Sequence, residues 1–167
     1  MVNKNEIPEL CFLSIQKGDS QSITELKYAL ETHGFFSIIN HGLSTKLIDR
    51  CYEVSKAFFD LDFQIKNKYS SLNSKGARGY TPIGIETAVG EEIPDQKEFW
   101  HHGPNINKTF NKKILKNINI EEINDFNKYF DELFLELNNV GLNVLSVIAS
   151  SINLNNNYFN PWVEKGN

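Results

Sequence analysis

The sequence predicts an α+β domain, and three features of the chain support that prediction. The first is the short apolar run Phe35–Ile39, which lies between Gly34 and Gly42 and has the length of a strand. Its apolar character predicts a strand that is buried on both faces. The second is a pair of amphipathic helical patterns, one on each side of this strand. The third is a repeat of apolar residues every three or four positions from Ile120 to Ile148, which predicts a helix of roughly thirty residues.

Composition favours a single domain over residues 1–167. A chain of 167 residues with 40% hydrophobic content can bury about 70% of its unfolded surface. The net charge is −4, with acids and lysines intermixed, so we expect neither a nucleic-acid partner nor attraction to a membrane surface. No uninterrupted apolar run approaches about 18 residues, so no membrane span is predicted. The polar start predicts no signal peptide, and Cys11 and Cys51 lack metal-type spacing, which together favour a reduced, cytoplasmic protein.

The two helices around the strand have recognisable starts. Ser22–Glu25 has the form of a capping box, which places the start of the first helix there, and Gly34 is predicted to end it. Ser44 is predicted to cap the second helix. The apolar stripe of the second helix consists of Leu47, Ile48, Cys51, Val54, Phe58 and Phe59. Because Cys51 lies inside this stripe, we expect an inert core thiol.

The next part of the chain is predicted to hold short turns and two extended segments. Lys66 and Lys68 lie in the turns and are expected to point outward. The extended segments are Arg78–Pro82 and Asp95–His102. Neighbouring side chains on a strand point to opposite faces, so His101 and His102 cannot bind one ion together, although one of them could face a pocket. No His-x-Asp, Cys-x-x-Cys or phosphate-binding glycine loop occurs, so spacing alone predicts no catalytic constellation.

Five stretches, taken in order, carry a family resemblance. They are Ile7-Pro8; Gly34-Phe35-Phe36 through Asn40-His41-Gly42; Phe58-Phe59-Asp60-Leu61 through Lys66; Arg78-Gly79-Tyr80 with Asp95-Gln96-Lys97-Glu98-Phe99-Trp100; and Tyr158-Phe159 with Gly166-Asn167. In this order the chain resembles the N-terminal region of the isopenicillin N synthase-like, 2-oxoglutarate/Fe(II)-dependent oxygenases. One departure is Asp62, which stands where that family usually has proline.

The resemblance implies the N-terminal helical and strand part of a double-stranded β-helix (jelly-roll) oxygenase, with the catalytic core mostly absent. Such enzymes hold Fe(II) with a His-x-Asp…His triad and the far carboxylate of 2-oxoglutarate with an Arg-x-Ser pair. The arginines are Arg50 and Arg78, neither is followed by x-Ser, and no histidine is followed by x-Asp. We therefore expect no catalytic, cofactor-binding or metal-binding residue in this chain. Fe(II) and 2-oxoglutarate are implied for an intact family member.

Two functional hypotheses follow. The chain is the N-terminal portion of a dioxygenase that oxidises a small molecule, inactive by itself, or it is a stand-alone, non-catalytic remnant that acts as a binding or interaction module. Open strand edges favour self-association in the second case. In the resembling enzymes the segment with Arg78 and Tyr80 lines the mouth of the active site, so these two residues are the implied substrate-binding residues. An arginine there can pair with a substrate carboxylate, but the identity of the substrate does not follow from the fold.

Overall fold

The computed structural model describes residues 7–70, 76–105 and 115–163, and within these ranges the chain is α+β, as predicted. The elements in order are β1 Glu9–Cys11, α1 Phe12–Gln16, α2 Ser20–Thr32, β2 Ser37–Ile39, α3 Thr45–Phe59, α4 Phe63–Asn67, β3 Gly79–Thr81, β4 Phe99–His101, α5 Phe126–Ser151 and α6 Asn160–Val163. The motif residues Gly166 and Asn167 lie outside the described residues.

The described residues form two compact units. Unit 1 consists of residues 7–43 and 137–163, and unit 2 consists of residues 44–70, 76–105 and 115–136. The prediction of one domain over residues 1–167 is not tested by this division, because α5 contributes residues to both units.

The core of unit 1 is built on a parallel pair of strands. β1 pairs with β2, and Leu10 lies opposite Ile38. Parallel strands need a long crossover connection, and α1 and α2 supply it. The buried residues are Leu10, Phe12, Ile15 and Leu26, and they are packed against by Leu30, Phe36, Ile38, Val140, Val144, Val147 and Ile148.

The prediction that the Phe35–Ile39 strand is buried on both faces is wrong. Phe36 and Ile38 pack into the core of unit 1, but Phe35 and Ile39 are 56% and 40% exposed. The reason is that side chains of a strand alternate between its two faces, and the core residues of unit 1 pack against the face that carries Phe36 and Ile38. One face of β2 is therefore covered and the other is open.

The first helix starts earlier than the capping-box pattern predicts. Asp19, not Ser22, is its N-cap, since Asp19 Oδ2 accepts from the backbone N–H of Ser22 at 2.9 Å and from its hydroxyl at 2.8 Å. The negative carboxylate of Asp19 also interacts favourably with the positive end of the helix dipole. Asp19 therefore takes the capping role that was predicted for Ser22. The predicted cap of the second helix is confirmed: Ser44 Oγ accepts from the N–H of Leu47 at 3.3 Å.

The core of unit 2 is a cluster of aromatic rings around Phe58. Phe58 is fully buried on α3, and ring centroids of five neighbours lie within 5.1–6.3 Å of its own. These neighbours are Phe59, Tyr69, Tyr80, Trp100 and Phe126. Most of the pairs meet edge to face, the arrangement that the ring quadrupole prefers. The predicted stripe on α3 is confirmed, and burial raises the pKa of the Cys51 thiol, with the charge of Glu132 acting in the same direction.

The two predicted extended segments form an antiparallel ribbon, β3–β4. Tyr80 lies opposite Trp100 in its register. Both strands are confirmed, but each contains three residues, shorter than predicted. Gly79 has a φ of +80°, and a Cβ there would lie 2.5 Å from the carbonyl oxygen of Tyr69 and 2.6 Å from Ile118 Cδ1. The start of β3 therefore requires glycine.

The long helix is confirmed, but it begins at Phe126 rather than near Ile120. The side chain of Asn127 holds the preceding segment in a non-helical conformation: its Oδ1 accepts from the N–H of Ile120 at 3.0 Å, and its Nδ2 donates to the carbonyl of Ile118 at 2.8 Å. Asp125, just before the helix, has a φ of +59°. The apolar periodicity continues through this segment because Ile120 and Ile123 pack into the aromatic cluster without being helical.

By length and composition α5 could cross a membrane, which contrasts with the prediction of no span. An 18-residue window of it has a mean hydropathy of 1.4, and 6% of that window is buried. One such helix is weak support for a membrane span, because long core helices of globular proteins pass the same criterion. Here α5 contributes Phe126 to the core of unit 2 and Val140 and Val144 to the core of unit 1.

Candidate functional site

The predicted site residues lie at the start of the β3–β4 ribbon in unit 2. Tyr80 lies opposite Trp100, and both rings meet the aromatic cluster. Arg78 directly precedes Gly79, whose φ of +80° departs from extended backbone, so strand alternation does not fix the direction of the Arg78 side chain. His101 belongs to the opposite face of β4 with Phe99.

Tyr80 lies in the core rather than in an open pocket. It is 2% exposed, and its hydroxyl donates to Glu98 Oε2 at 2.5 Å. Burial raises the pKa of Tyr80 far above its usual value, and the hydrogen bond to Glu98 and the charge of Glu98 raise it further. The hydroxyl therefore stays protonated. A direct contact between Tyr80 and a substrate remains a prediction.

Glu98 also pairs with Lys66, and this corrects the prediction that Lys66 points outward. Lys66 is 8% exposed, and its Nζ donates to both Glu98 oxygens at 3.0 and 2.9 Å and to the carbonyl of Phe59 at 2.9 Å. A buried ammonium is tolerated when its three N–H groups have acceptors, and here all three do. Lys68, also predicted to point outward, is exposed, as expected.

The environment of Glu98 keeps its carboxylate ionised. Burial acts to raise the pKa of Glu98, but the hydrogen bonds from Tyr80 and Lys66, together with the charge of Lys66, outweigh it and lower the pKa. These three side chains come from α4, β3 and the residue before β4. They form the Glu98 cluster (Lys66, Tyr80 and Glu98), which joins the ribbon to the end of α3 through the Phe59 carbonyl.

A second polar group, the His102 cluster, lies just beyond β4. His102 Nε2 is 2.7 Å from Asp131 Oδ1 on α5. The other Asp131 oxygen accepts from Asn105 Nδ2 at 2.9 Å. Asn117 Nδ2 donates to Asp131 Oδ1 at 3.3 Å and to the carbonyl of Gly103 at 2.8 Å. We define the His102 cluster as His102, Gly103, Asn105, Asn117 and Asp131.

The imidazole of His102 is neutral at pH 7. Its side chain is nearly buried, and burial lowers its pKa; the charge of Arg78 lowers it further, while the bond to Asp131 and the charge of Asp131 act to raise it. In the neutral ring Nε2 carries the proton and donates to Asp131, since the carboxylate can only accept. Among the described residues Nδ1 is buried and has no hydrogen-bond partner.

Arg78 is half-buried at the start of β3, and its guanidinium lies directly against Gly103. A methyl group built on Gly103 would overlap Cζ, Nη2 and Nε of Arg78. Nη1 donates to the carbonyl of Ala77 at 2.5 Å. Sequence reasoning found Arg78 but not Gly103, Asn117 or Asp131, because asparagine and aspartate are abundant along this chain and nothing in their spacing marks these two.

The described residues do not fit an Fe(II) site of the kind that the resemblance implies. Within residues 7–70, 76–105 and 115–163, no three His, Cys, Asp or Glu side chains are grouped in a way that could hold a metal ion. The divergence of the neighbouring histidines is confirmed: His101 Nδ1 contacts the carbonyl of Gly76, while His102 contacts Asp131. A facial Fe(II) site needs two imidazoles and a carboxylate around one ion, and these side chains do not provide it.

Comparison with known proteins identifies the family. The family model for the N-terminal region of non-haem dioxygenases in morphine synthesis matches residues 8–125. A Dictyostelium discoideum protein, described as a probable iron/ascorbate oxidoreductase, is 35% identical over 155 residues, which cover 84% of this chain and 42% of that protein. A 2OG-Fe(II) oxygenase family protein from Caulobacter crescentus has a solved structure with a TM-score of 0.84 and 33% identity.

The solved structures share the fold over nearly the whole of this chain. The Caulobacter crescentus match covers 96% of this chain and 53% of that chain. A full-length Neurospora crassa protein, solved in complex with alpha-KG, matches at a TM-score of 0.78 with 22% identity, again over 53% of its length; at this identity the likeness shows the fold alone. This chain thus spans about half the length of its relatives. It belongs to the isopenicillin N synthase-like 2-oxoglutarate/Fe(II) oxygenase family and corresponds to the N-terminal region of its members.

Proposed function

We propose that this chain is the N-terminal portion of a 2-oxoglutarate/Fe(II)-dependent dioxygenase that oxidises a small molecule, and that it is inactive alone. The observation that supports this most is the family match over residues 8–125 in a chain that covers only 42% of one relative and 53% of another. In this proposal the jelly-roll core, with its residues for Fe(II) and 2-oxoglutarate, lies outside this sequence. The residues of this chain build one wall beside the substrate and bind no iron.

We further propose that Arg78 and Tyr80 are the substrate-side residues of that wall. Arg78 lies directly before β3 and is half-buried. Its guanidinium can pair with a carboxylate of the substrate in a bidentate way. The hydroxyl of Tyr80 is committed to Glu98, so Tyr80 would act through the position of β3. Free Cys11 and Cys51 are compatible with the cytoplasmic location that we propose.

The second candidate is a stand-alone module that binds another protein or a second copy of itself. Its support lies in unit 1, where the apolar side chains of Phe35, Ile152 and Trp162 are exposed by half or more. A contiguous exposed patch of such side chains would mark an interaction surface. The same surface is expected in the first candidate, where the rest of the enzyme would cover it.

The first test measures iron binding and turnover by residues 1–167 alone. The purified chain is titrated anaerobically with Fe(II), and succinate is then measured after addition of 2-oxoglutarate and oxygen. We expect no stoichiometric Fe(II) binding and no succinate. Tight one-to-one binding that is lost in His101→Ala or His102→Ala would overturn the proposal, because it would reveal a metal site among residues that do not fit one.

The second test separates the two candidates by reading the coding sequence beyond codon 167. An open frame that encodes His-x-Asp and Arg-x-Ser supports the dioxygenase, and a stop codon in the native transcript supports the module. If the frame continues, Arg78→Lys in the complete protein should weaken substrate binding more than it lowers the melting temperature. Equal substrate affinity of the two proteins would remove Arg78 from the proposed wall.

A further inference from the structure

We propose that Gly103 is a positioning residue that seats the Arg78 guanidinium, and that Asn117 holds this seat in place for the recognition of an anionic substrate group. The inference rests on the substrate-side role proposed for Arg78. It adds the residues that would fix the direction of that guanidinium. Neither Gly103 nor Asn117 belongs to the stretches that carry the family resemblance.

Gly103 leaves room for Arg78 because it has no side chain. Three atoms of Arg78, namely Cζ, Nη2 and Nε, occupy the space that a Cβ at position 103 would need. A positive φ is not the reason for glycine here, because Gly103 is not among the residues with a positive φ. Glycine is needed here so that the Arg78 side chain can approach closely, since only a residue without Cβ lets the planar guanidinium lie against the backbone.

The seat itself is fixed by hydrogen bonds to both polar groups of Gly103. Its N–H donates to Asn117 Oδ1 at 2.8 Å, and its carbonyl accepts from Asn117 Nδ2 at 2.8 Å. The side-chain amide of Asn117 thus satisfies both backbone hydrogen-bonding groups of Gly103, as a neighbouring strand would. Asn117 in turn donates to Asp131 on α5, so the seat is tied to the longest helix of the protein.

The carboxylate of Asp131, which Asn117 contacts, is surrounded by neutral hydrogen-bond donors. Asp131 accepts from Asn105, Asn117 and the neutral ring of His102. Within the described part of the chain, the charged groups that act on His102 are Asp131 and Arg78. Arg78 is thus close enough to His102 for its charge to disfavour a second positive charge on the imidazole. The ring of His102 therefore reports where the Arg78 guanidinium lies.

The test uses this reporter in the 167-residue chain. The pKa of His102 is measured by NMR in the wild type, Gly103→Ala, Arg78→Gln and the double variant. Gly103→Ala is expected to fold, because the added methyl meets only the end of a flexible side chain. We expect an upward shift of the His102 pKa in Arg78→Gln, an upward shift in Gly103→Ala, and no additional shift in the double variant.

Gly141→Ala is the matched control, because a Cβ there meets nothing within 4 Å, and it should leave His102 unchanged. If Gly103→Ala keeps the wild-type His102 pKa, the proposal that Gly103 seats Arg78 is wrong. It is also wrong if the pKa shifts of the two single variants add fully in the double variant. Asn117→Ala tests whether Asn117 holds the seat. Because Asn117 Nδ2 also lies 3.0 Å from His102 Nε2, its effect on the His102 pKa is measured both in the wild type and in Arg78→Gln. A larger upward shift with Arg78 present supports the positioning role, and equal shifts in the two backgrounds exclude it.

A separate titration with acetate distinguishes the seat from the proposed function. Acetate should shift the Arg78 side-chain resonances of the wild type, and the shift should be smaller in Gly103→Ala. If the His102 measurements support the seat but acetate leaves the Arg78 resonances of the wild type unchanged, the seat stands and the anion-binding role of Arg78 fails. If acetate shifts both proteins equally, Gly103 does not direct the guanidinium and the inference fails.

Discussion

Unit 1 and unit 2 differ in how their cores are closed. Unit 2 surrounds Phe58 with five aromatic rings and adds the Glu98 and His102 clusters around them. Among residues 7–70, 76–105 and 115–163, every ion pair lies in unit 2. Unit 1 has a smaller core under the β1–β2 pair and leaves Phe35 and Ile39 exposed on the other face. Both units expose apolar side chains, so the difference between them is that hydrogen-bonded and ion-paired clusters close the core of unit 2.

This difference bears on how each unit is held together. Apolar side chains contribute about 25 cal/mol per Å² only when they leave water, so the exposed residues of unit 1 add little to its stability. Buried hydrogen-bonded clusters, in contrast, specify a particular arrangement of the elements that carry them. We expect unit 2 to unfold as a cooperative body, and unit 1 to be looser. Variants in each unit and a change of pH can test that contrast.

The largest effect is expected for Phe58→Ala. This change removes the ring at the centre of the aromatic cluster and leaves a cavity, which typically costs about 3–5 kcal/mol of unfolding free energy. Urea unfolding followed by the fluorescence of Trp100, in a Trp162→Phe background, measures unit 2 alone. Tyr52→Ala on the same helix is the control, because Tyr52 is 74% exposed. Similar losses for both variants would mean that unit 2 has no closed core.

A smaller effect is expected when the Glu98 cluster is broken. Lys66→Met and Glu98→Gln should each destabilise unit 2 by about 3 kcal/mol, because each leaves a buried partner without its counter-charge. The double variant should cost less than the sum, since it leaves no buried charge unpaired. The same fluorescence assay measures all three. Additive losses would show that Lys66 and Glu98 are not coupled.

The third prediction concerns pH. Because the pKa of His102 is lowered in the folded protein, the unfolded chain binds the extra proton first, so the stability of unit 2 should fall as pH decreases below about 6.5. The cause is the burial of the ring beside Arg78. His102→Gln should lack this part of the pH dependence, and urea midpoints at pH 7 and pH 5.5 measure it. An equal decrease in both proteins would assign the effect to other groups. Glu98, whose pKa is also lowered, adds a separate loss only at pH values near or below about 4.5.

The smallest effect on stability, with a visible effect on association, is expected for Phe35→Ser in unit 1. An exposed side chain changes the unfolding free energy by about 0.5 kcal/mol or less. We expect the wild type to form dimers or larger species and to bind an apolar dye, and the variant to do both less. Sedimentation velocity and dye fluorescence measure this. A monomeric wild type with a sharp, cooperative melt would show that unit 1 is self-sufficient.

The sequence predicted the elements better than their surroundings. Helices α2, α3 and α5 and strands β3 and β4 follow from local patterns, which act over a few residues. The double burial of β2 did not hold, because the residues that cover a strand face come from distant parts of the chain, such as Val140 and Val144. The early start predicted for α5 failed because apolar spacing does not distinguish a helix from an extended segment held by Asn127.

The candidate site was predicted only where one strand carries it. Arg78 and Tyr80 stand two positions apart in one short segment, so a single resemblance stretch contained both. The Lys66–Glu98 pair joins residues that are 32 positions apart, and the His102–Asp131 contact joins residues that are 29 apart. Such contacts depend on the packing of α4, β4 and α5, which no local pattern fixes. The segments ending at Lys66, Tyr80 and Trp100 belong to two of the five resemblance stretches, and they meet around Glu98. Their shared contacts in the Glu98 cluster give a physical reason why these segments occur together.

The order of the two units along the chain has a consequence for synthesis on the ribosome. Unit 2 is a continuous stretch of sequence, whereas the core of unit 1 needs both its first 43 residues and the later residues Val140 to Ile148. Domains form as their residues emerge, from the N-terminus onward. The β1–β2 pair and α2 must therefore wait, with their apolar side uncovered, until the second half of α5 has left the exit tunnel. Of the two units, the one whose residues emerge first therefore completes its core second, and its apolar side chains stay exposed to water in the interval.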